Sequence, residues 1–274
     1  MLTETAYAKI NLALHVRRRR VDGYHELETL FAFLDDGDRL SGHPHDSLSL
    51  ELAGPFGEAL AAESDNLVLR AAAALAKAFG IRSGARLLLE KRLPIASGLG
   101  GGSADAAAAL RLLCRLWELD VGAPVVRDIA IALGADVPAC LESRTLFGTG
   151  VGERLTRCDD CGVEGSPVLL VNPMVACPTG AVFAAWDGVD RGPLDPARWR
   201  CGRNDLTPPA VNIVPAIADC LAELDRLPHV TLTRMSGSGA TCFALFKAKD
   251  ACDSAQVELH ARQPGYWTMT GRLR

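Results

Sequence analysis

From Leu93 to Ala107 the chain reads L-P-I-A-S-G-L-G-G-G-S-A-D-A-A, and this stretch gives the strongest indication of what the protein binds. Four glycines and two serines lie between a predicted strand, Ala85 to Arg92, and a predicted alanine-rich helix, Ala104 to Leu119. Glycines let successive backbone N–H groups point toward one centre, and a helix start adds unpaired N–H groups and partial positive charge. The stretch is therefore a candidate phosphate-binding loop. The alternative is a flexible turn in which Ser103 caps the helix.

Two common phosphate-binding motifs do not fit this loop. A Walker loop requires G-x-x-x-x-G-K-[ST], but the sixth position from Gly98 is Ser103, and no lysine follows. A dinucleotide fingerprint requires G-x-G-x-x-G; Gly98 and Gly100 fit it, and Ser103 again stands in place of the third glycine. A phosphate bound here would need its positive charge from another part of the chain.

Composition limits the classes of function. The 274 residues are 49% hydrophobic and 23% charged, a balance typical of one large globular domain or two modest ones sharing a cleft. A formal net charge of −4 favours neither nucleic acid nor an anionic membrane as a partner. The basic run Arg17–Arg20 leads into a turn at Asp22–Gly23, and is either a solvated strand end or a site that steers an anionic substrate.

The targeting and cysteine patterns predict a cytoplasmic protein. No segment approaches the roughly 18 apolar residues of a membrane helix, and the N-terminus lacks the regions of a signal peptide. The nine cysteines are odd in number and mostly lie in apolar surroundings, which predicts reduced thiols. Cys158 and Cys161 form a lone C-x-x-C, and no second Cys/His pair at zinc spacing supports a metal or redox role.

Locally paired strands with interspersed helices predict an α+β fold rather than a doubly wound sheet. The alternation from Ala8 to Leu14 predicts a strand, and Leu27 to Leu34 its hairpin partner. Asn66 is the predicted cap of a helix over Leu67–Phe79 that ends at Gly80. A change of character near residues 148–165 indicates two lobes, which we place at residues 1–155 and 156–274. Further predicted elements are strands Ser47–Leu52, Leu146–Leu155, Ser166–Val171, Val230–Met235 and Ala240–Phe246, helices Val125–Leu133 and Val214–Leu227, and a long connection from Asp187 to Pro209.

Three further places carry candidate chemistry, each with a structural alternative. Lys9 and Asn11 share one face of a strand whose other face is apolar, so they either face solvent or lie over a substrate. Asp136 lies between apolar residues, just before Pro138, and is either a helix cap or a partly desolvated base. The segment Gly237–Gly239 is either a tight hairpin or a second backbone cradle.

Together these segments resemble the GHMP small-molecule kinases. S-G-L-G-G-G-S-A at 97–104 resembles their central glycine motif, and M-S-G-S-G-A-T at 235–241 their C-terminal motif. Shorter matches, in family order, narrow the resemblance to one branch: A-K-I-N-L at 8–12, D-G-Y-H-E-L at 22–27, D-N-L at 65–67, G-A-D-V-P at 134–138, P-T-G at 178–180 and N-D-L at 204–206. The matches run from about residue 7 to 242, so the resemblance covers nearly the whole chain.

The resemblance implies two α+β lobes with the active site in the cleft between them. It also implies transfer of the γ-phosphate of ATP, with Mg²⁺, to the 2-hydroxyl of a diphosphocytidyl methylerythritol in the non-mevalonate isoprenoid pathway. Asp136 matches the catalytic aspartate, which takes the hydroxyl proton. Lys9 matches its partner lysine, which orients Asp136 and offsets charge on the phosphoryl oxygens.

The resemblance also implies binding residues. The nucleotide would lie on Asn66, Pro94, Ile95, Ala96, Ser97, Gly98, Leu99, Gly100, Gly101, Gly102, Ser103 and Ala104, with Asn66 near the adenine and Ser103 as a candidate Mg²⁺ ligand. The substrate would contact Asn11, Tyr24, His25, Asp136, Thr179 and Phe183. Among these, Tyr24 and Phe183 would sandwich the cytosine, and His25 would hydrogen-bond its edge.

The sequence departs from the family at Ala104-Asp105, where many relatives carry Ser-Asn, and no motif anchors a carboxylate for Mg²⁺. One alternative is another GHMP kinase acting on homoserine or in the mevalonate pathway; the Asp22–His25 segment argues against it, because those substrates lack a cytosine. The other is a silent relative that senses a nucleotide or sugar; the presence of both Lys9 and Asp136 argues against that. We expect a monomer or weak homodimer that binds small molecules, with no nucleic-acid or membrane partner.

Overall fold

The computed structural model describes residues 1–61, 65–159 and 161–274. The strands are β1 Leu2–Arg19, β2 His25–His45, β3 Ser49–Ala53, β4 Gly84–Glu90, β5 Leu146–Gly150, β6 Arg154–Arg157, β7 Pro167–Asn172, β8 Val230–Met235, β9 Cys242–Phe246 and β10 Trp267–Arg272. The helices are α1 Gly57–Ala61, α2 Leu67–Phe79, α3 Gly101–Leu116, α4 Pro124–Leu133, α5 Val137–Glu142, α6 Thr179–Ala184, α7 Thr207–Ile213, α8 Ala216–Asp225 and α9 Lys249–Arg262, with a 3-10 helix at Pro196–Cys201. The predicted α+β class is confirmed.

Packing divides the chain into two units that alternate along the sequence. The first contains Met1–Ala8, Asp36–Ile95 and Gly100–Ser143, and the second contains Lys9–Asp35, Ala96–Leu99 and Arg144–Arg274. Strands β1 and β2 and the glycine stretch therefore contribute residues to both units. The predicted lobes, residues 1–155 and 156–274, are continuous ranges of sequence, and this domain division stays a prediction.

In the first unit, helices cover strands that pair through β4. The end of β2 pairs antiparallel with β4, and β3 pairs parallel with it. Helix α3 packs against α2 and α5, and its alanines are buried from Ala106 to Ala109. Helix α2 begins and ends as predicted: the Asn66 side chain accepts a bond from the Val68 N–H, and Gly80 ends the helix in the left-handed region, at φ 66°.

The second unit contains an antiparallel sheet in the order β10-β7-β9-β8. Both β7 and β9 are buried along their whole length, and helices α8 and α9 pack on this sheet. The start of β2 pairs antiparallel with β5, and β5 in turn pairs antiparallel with β6. Sequence reasoning did not identify α6, α7, α9 or β10, and the predicted connection Asp187–Pro209 contains the 3-10 helix and the start of α7. In α9 the buried residues are Cys252, Ala255 and Leu259, two of them small, so its apolar periodicity is weak.

Strand β1 differs from its predicted two-faced pattern. Its apolar residues are buried as expected, but Lys9, Asn11 and His15 on the opposite face are buried too. The alternative in which Lys9 and Asn11 face solvent is therefore wrong. Alternation alone could not distinguish these possibilities, because a polar face can be covered by another part of the chain.

The prediction of reduced thiols fails for one pair. Cys158 and Cys161 are joined in a disulfide, with Cα atoms 5.6 Å apart. Two intervening residues bring the cysteines within the range that a disulfide spans. The other seven cysteines are free, and Cys201 alone among them is exposed. In the described residues, no helix combines the length and apolar character needed to cross a membrane.

Candidate active site

The glycine stretch starts helix α3 earlier than predicted. The helix begins at Gly101, and Gly100 is its N-cap residue in the left-handed region, at φ 62°. Its first turn closes with a bond from the Ala104 N–H to the Gly100 carbonyl, at 2.8 Å. The N–H groups of Gly101, Gly102 and Ser103 therefore have no partner within the helix. Ser103 lies inside the first turn, so the alternative in which it caps the helix is wrong.

The two glycine segments quoted from the sequence pack directly against each other. Gly98 lies at φ 79°, and a Cβ atom on it would lie 2.6 Å from the Ser236 carbonyl oxygen and 2.8 Å from that of Gly239. The Ser236 hydroxyl donates to the Gly98 carbonyl at 3.0 Å. The Thr241 N–H donates to the Ser97 carbonyl at 3.1 Å. The C-terminal segment is thus more than a hairpin turn, because it supports the central loop.

The Lys9 ammonium group is held in a buried position on β1. Lys9 is only 4% exposed, and its Nζ donates to the Asn11 Oδ1 at 3.1 Å. The same nitrogen lies 5.2 Å from the centroid of the Phe31 ring, a distance that suits a cation–π contact. The backbone N–H of Lys9 donates to the Leu99 carbonyl at 3.0 Å. Lys9 is therefore tied to the glycine stretch through its backbone.

Asn11 links Lys9 to the C-terminal glycine segment. Its Nδ2 donates to the Thr29 Oγ1 at 2.8 Å, and Thr29 donates in turn to the Ala13 carbonyl. Its backbone N–H donates to the Ser236 hydroxyl at 3.2 Å. These bonds fix the amide so that its oxygen faces Lys9. The substrate contact that the resemblance implies for Asn11 stays a prediction, but a role in orienting Lys9 is visible in the geometry.

Asp136 lies in the first unit, at the position before helix α5. Its side chain makes no capping bond to that helix. The capping alternative is therefore not supported. Asp136 itself is half-buried, and the next three residues, Val137, Pro138 and Ala139, are buried.

The Asn66 side chain already makes one structural hydrogen bond. Its Oδ1 accepts the Val68 N–H at 2.8 Å and caps α2. A polar contact with adenine would therefore depend on the remaining amide nitrogen. The placement of Asn66 near the adenine stays a prediction.

Three rings come together where the cytosine is predicted. The His25 and Phe183 ring centroids are 5.1 Å apart, and those of His25 and Trp186 are 5.7 Å apart with the rings nearly perpendicular. Burial lowers the pKa of His25, and the charge of Arg19 lowers it further. Tyr24 is 63% exposed. Among the described residues, the ring contacts do not include Tyr24.

Thr179, the first residue of α6, also contacts the C-terminal glycine segment. Its hydroxyl lies 2.9 Å from the Ser238 hydroxyl. The Cys177 thiol donates to the Ser238 carbonyl at 3.2 Å, and burial raises the pKa of that thiol. A pair of hydroxyl groups and a buried thiol therefore adjoin the turn.

The first unit contains a buried ionic cluster that the motifs did not reveal. The Lys91 Nζ donates to carboxylate oxygens of Asp38 and Asp105, each at 2.6 Å, and Asp38 also accepts the N–H groups of Arg92 and Leu93. A Cβ atom on Gly101 would lie 3.0 Å from the Lys91 Nζ. Burial raises the pKa of Asp105 to about 7 despite the Lys91 charge. This lysine lies beside the first turn of α3, although it precedes the loop in sequence.

No cluster of three or more His, Cys, Asp or Glu side chains suited to a metal occurs in residues 1–61, 65–159 and 161–274. Magnesium in phosphoryl transfer commonly uses one or two protein oxygens and the substrate phosphates. A protein-built cage is therefore not required for a magnesium ion carried by the nucleotide.

Comparison with known proteins identifies relatives along the whole chain. Family models match at residues 66–144, described as the GHMP kinases N terminal domain, and at 195–264, described as GHMP kinases C terminal. A Rhizorhabdus wittichii protein named 4-diphosphocytidyl-2-C-methyl-D-erythritol kinase is 53% identical over 278 residues, covering 99% of this chain and 94% of that protein.

Solved structures show the same relationship. A crystal structure of 4-(cytidine 5'-diphospho)-2C-methyl-D-erythritol kinase superimposes with a TM-score of 0.85 at 36% identity, covering 99% of each chain. A homoserine kinase from Cytophaga hutchinsonii has a TM-score of 0.68 at 16% identity, covering 98% of this chain and 95% of that one. The second similarity concerns the fold alone.

Proposed function

The chain belongs to the GHMP kinases, in the family of 4-diphosphocytidyl-2-C-methyl-D-erythritol kinases, and we propose the reaction that it catalyses. The γ-phosphate of ATP, bound with Mg²⁺, passes to the 2-hydroxyl of 4-diphosphocytidyl-2-C-methyl-D-erythritol, giving the 2-phosphate and ADP. The reaction belongs to cytoplasmic isoprenoid synthesis. The family that the two glycine segments predicted is confirmed by the similarity.

One observation carries the proposal. The Lys9 ammonium group is buried, and it belongs to the hydrogen-bond network that joins the two glycine segments. Asn11 binds Lys9 through its oxygen and Ser236 through its backbone N–H, and Ser236 binds Gly98. A cation that only stabilised the fold would not need this connection to a loop with unpaired N–H groups. A kinase needs it, because charge develops on the transferred phosphoryl group.

In the proposed mechanism, Asp136 is the general base and Lys9 its partner. The substrate oxygen forms a bond to the γ-phosphorus while the bond from that phosphorus to the bridging oxygen of ADP breaks. The hydroxyl proton passes to the Asp136 carboxylate. Lys9 orients Asp136 and offsets negative charge on the phosphoryl oxygens. A tertiary hydroxyl is a poor nucleophile, so alignment supplies much of the rate.

On the nucleotide side, the N–H groups of Gly101 to Ser103 would bind phosphate oxygens at the start of α3. Asn66 and the remaining residues from Pro94 to Ala104 complete the proposed site. The Ser103 hydroxyl would bind the magnesium ion or a phosphate oxygen. A magnesium ion held there would neutralise part of the phosphate charge.

On the acceptor side, the Phe183 ring would support one face of the cytosine, and His25 would hydrogen-bond its edge. A neutral imidazole has one donor and one acceptor. The unprotonated nitrogen of that ring can accept a hydrogen bond from the amino group on the cytosine edge. Tyr24, at the end of an exposed turn, would close over the base on binding. Asn11 and Thr179 are the other proposed contacts, together with Asp136 at the reacting hydroxyl.

The test is ADP release from ATP and Mg²⁺ with three acceptors in parallel: the diphosphocytidyl compound, homoserine and mevalonate. We expect turnover with the first and background rates with the other two. Phosphorus NMR of the product should show a new phosphomonoester beside an intact diphosphate. Turnover of homoserine or mevalonate in its place would refute the proposal.

A further inference from the structure

The basic run Arg17–Arg20 contains one arginine whose partners differ from those of the rest. Arg17 pairs with Asp190 at 3.1 Å, and the ion pairs of Arg18 and Arg20 are with Glu26 and Asp22. Arg19 instead donates from its Nη2 to the backbone carbonyls of Ala184 at 2.9 Å and Trp186 at 2.5 Å. In the described part of the chain, no ion pair is found for Arg19. Its charge is therefore not offset by a carboxylate partner.

The two carbonyls lie at the end of α6, the helix that carries Phe183. The last carbonyls of a helix lack partners within it, and an arginine there satisfies them and complements the helix dipole. The guanidinium carbon also lies 6.0 Å from the Trp186 ring centroid. Arg19 thus ties the end of α6 to the end of β1, six residues before His25.

The attachment of α6 through Arg19 bears on the positions of the two aromatic rings that contact His25. Phe183 lies 5.1 Å from the His25 ring, and Trp186 lies 5.7 Å from it on an edge. Trp186 is buried, and its own backbone carbonyl is one of the two that Arg19 binds. If α6 lost this attachment, Phe183 and Trp186 would shift relative to His25, and the flat support for a base would be less well ordered.

The same arginine is the charged group that acts on His25. Helix α6 contains no charged residue, Glu26 is paired with Arg18, and Asp187 is paired with Arg191. Burial lowers the pKa of His25 and Arg19 adds to that shift. In the described residues, His25 Nε2 is buried without a hydrogen-bond partner, so this nitrogen is available to a ligand.

We propose that Arg19 is a positioning residue of the cytosine site, which holds Phe183 and Trp186 around His25. The inference rests on the proposed function, because the base it concerns is the cytosine of that substrate. A protonated His25 would have two donors and no acceptor, and the cytosine amino group would lose its partner. The basic run is then neither a solvated strand end nor a steering surface at this residue.

The experiment compares Arg19→Met and Arg19→Lys with wild type and with Arg18→Met, which removes an exposed arginine of the same run. Both Arg19 variants should raise KM for the diphosphocytidyl substrate by about tenfold, since methionine has no donor and lysine lacks the planar guanidinium that reaches both carbonyls and lies near the Trp186 ring. The KM for ATP should stay within about twofold, because the change is confined to the cytosine site. Arg18→Met should leave both values unchanged.

The pH dependence of KM separates two effects of Arg19: the effect of its charge on His25 and its effect on the positions of the rings. In the wild type, KM for the diphosphocytidyl substrate should rise as the pH falls and His25 becomes protonated. This rise should begin at a higher pH in Arg19→Met, whereas Arg19→Lys, which keeps the charge, should follow the wild type. His25→Gln, which cannot titrate, should show no such rise. Thermal unfolding of each variant checks that it is folded.

An unchanged KM for the diphosphocytidyl substrate in Arg19→Met, an equal rise in KM for ATP, or an unshifted acid limb would each overturn the inference. Direct binding of cytidine 5'-monophosphate by calorimetry provides a readout without catalysis, and Arg19→Met should weaken it by a similar factor. Failure of the wild type to phosphorylate the diphosphocytidyl compound would refute the proposed function itself. Normal wild-type turnover with no response to Arg19→Met would refute only the role of Arg19.

Discussion

The hydroxyl of Ser236 donates a hydrogen bond of 3.0 Å to the backbone carbonyl of Gly98, 138 residues earlier in the chain. This contact joins the two glycine segments at their closest approach. The two backbones come so close that residue 98 must be a glycine, because a side chain there would meet the backbone of the C-terminal segment.

Gly98→Ala should lower the free energy of unfolding by several kcal/mol, since it combines left-handed strain with a backbone collision. Gly188→Ala is the matched control: Gly188 has φ +81° against +79° for Gly98, but nothing lies within 4 Å of its Cβ position. We expect the control to lose only about 1 kcal/mol, from strain alone. Urea unfolding of both variants measures the difference; equal losses would show that the close approach is not rigid.

Asp136→Asn should reduce kcat by at least about a hundredfold, because the amide cannot accept the hydroxyl proton. ATP affinity should stay close to that of the wild type, since the proposed nucleotide contacts lie on other residues. Single-turnover kinetics with calorimetric ATP binding would test both expectations. Parallel losses of turnover and ATP affinity would indicate a structural role for Asp136.

Asp38→Asn should destabilise the fold by about 3–5 kcal/mol, because it weakens the bonds to a buried lysine and changes the acceptor of two backbone N–H groups. The side chains of Lys91 and Asp38 are 2% and 0% exposed. Glu51→Gln provides the control, because Glu51 pairs with Arg86 at the surface and such pairs contribute about 1 kcal/mol or less. Chemical unfolding of the two variants compares them; similar small losses would contradict the role given to the buried cluster.

His15 should make stability depend on pH. Its Nδ1 donates to the Gly192 carbonyl, which leaves Nε2 as the acceptor of the Arg203 N–H. Burial lowers its pKa below the ordinary histidine value of about 6.5, and the charge of Arg203 lowers it further. The unfolded state then binds more protons than the folded state below about pH 6.5, so this contribution is complete above that pH and is lost as the pH falls.

The measurement is the unfolding free energy between about pH 5 and 8. His15→Gln keeps one donor and one acceptor but cannot titrate, so its stability should fall less on the acid side than that of the wild type. Identical slopes for the two proteins would exclude His15 as the source.

Several features followed from local sequence because they depend on neighbouring residues only. Asn66 and Gly80 mark the ends of α2 through a cap and a left-handed residue, and both positions agree with the structure. The anchors around Lys9, Asp136 and the two glycine segments were enough to predict the family, now confirmed by relatives along the chain. The predicted start of α3 lay three residues too late in the sequence, because alanine content does not show which glycine caps the helix.

Other features depended on contacts between segments far apart in sequence. Alternation placed Lys9 on a polar face but could not show that this face is buried, since burial depends on what covers it. The partners of Arg19 are backbone carbonyls more than 160 residues away, and no residue type marks a carbonyl acceptor. Lys91 was similarly missed as a charge beside the glycine loop, because its position depends on Asp38 and Asp105. Short-range patterns thus identified the chemical groups and the family, whereas long-range packing decided which charges are buried and what they contact.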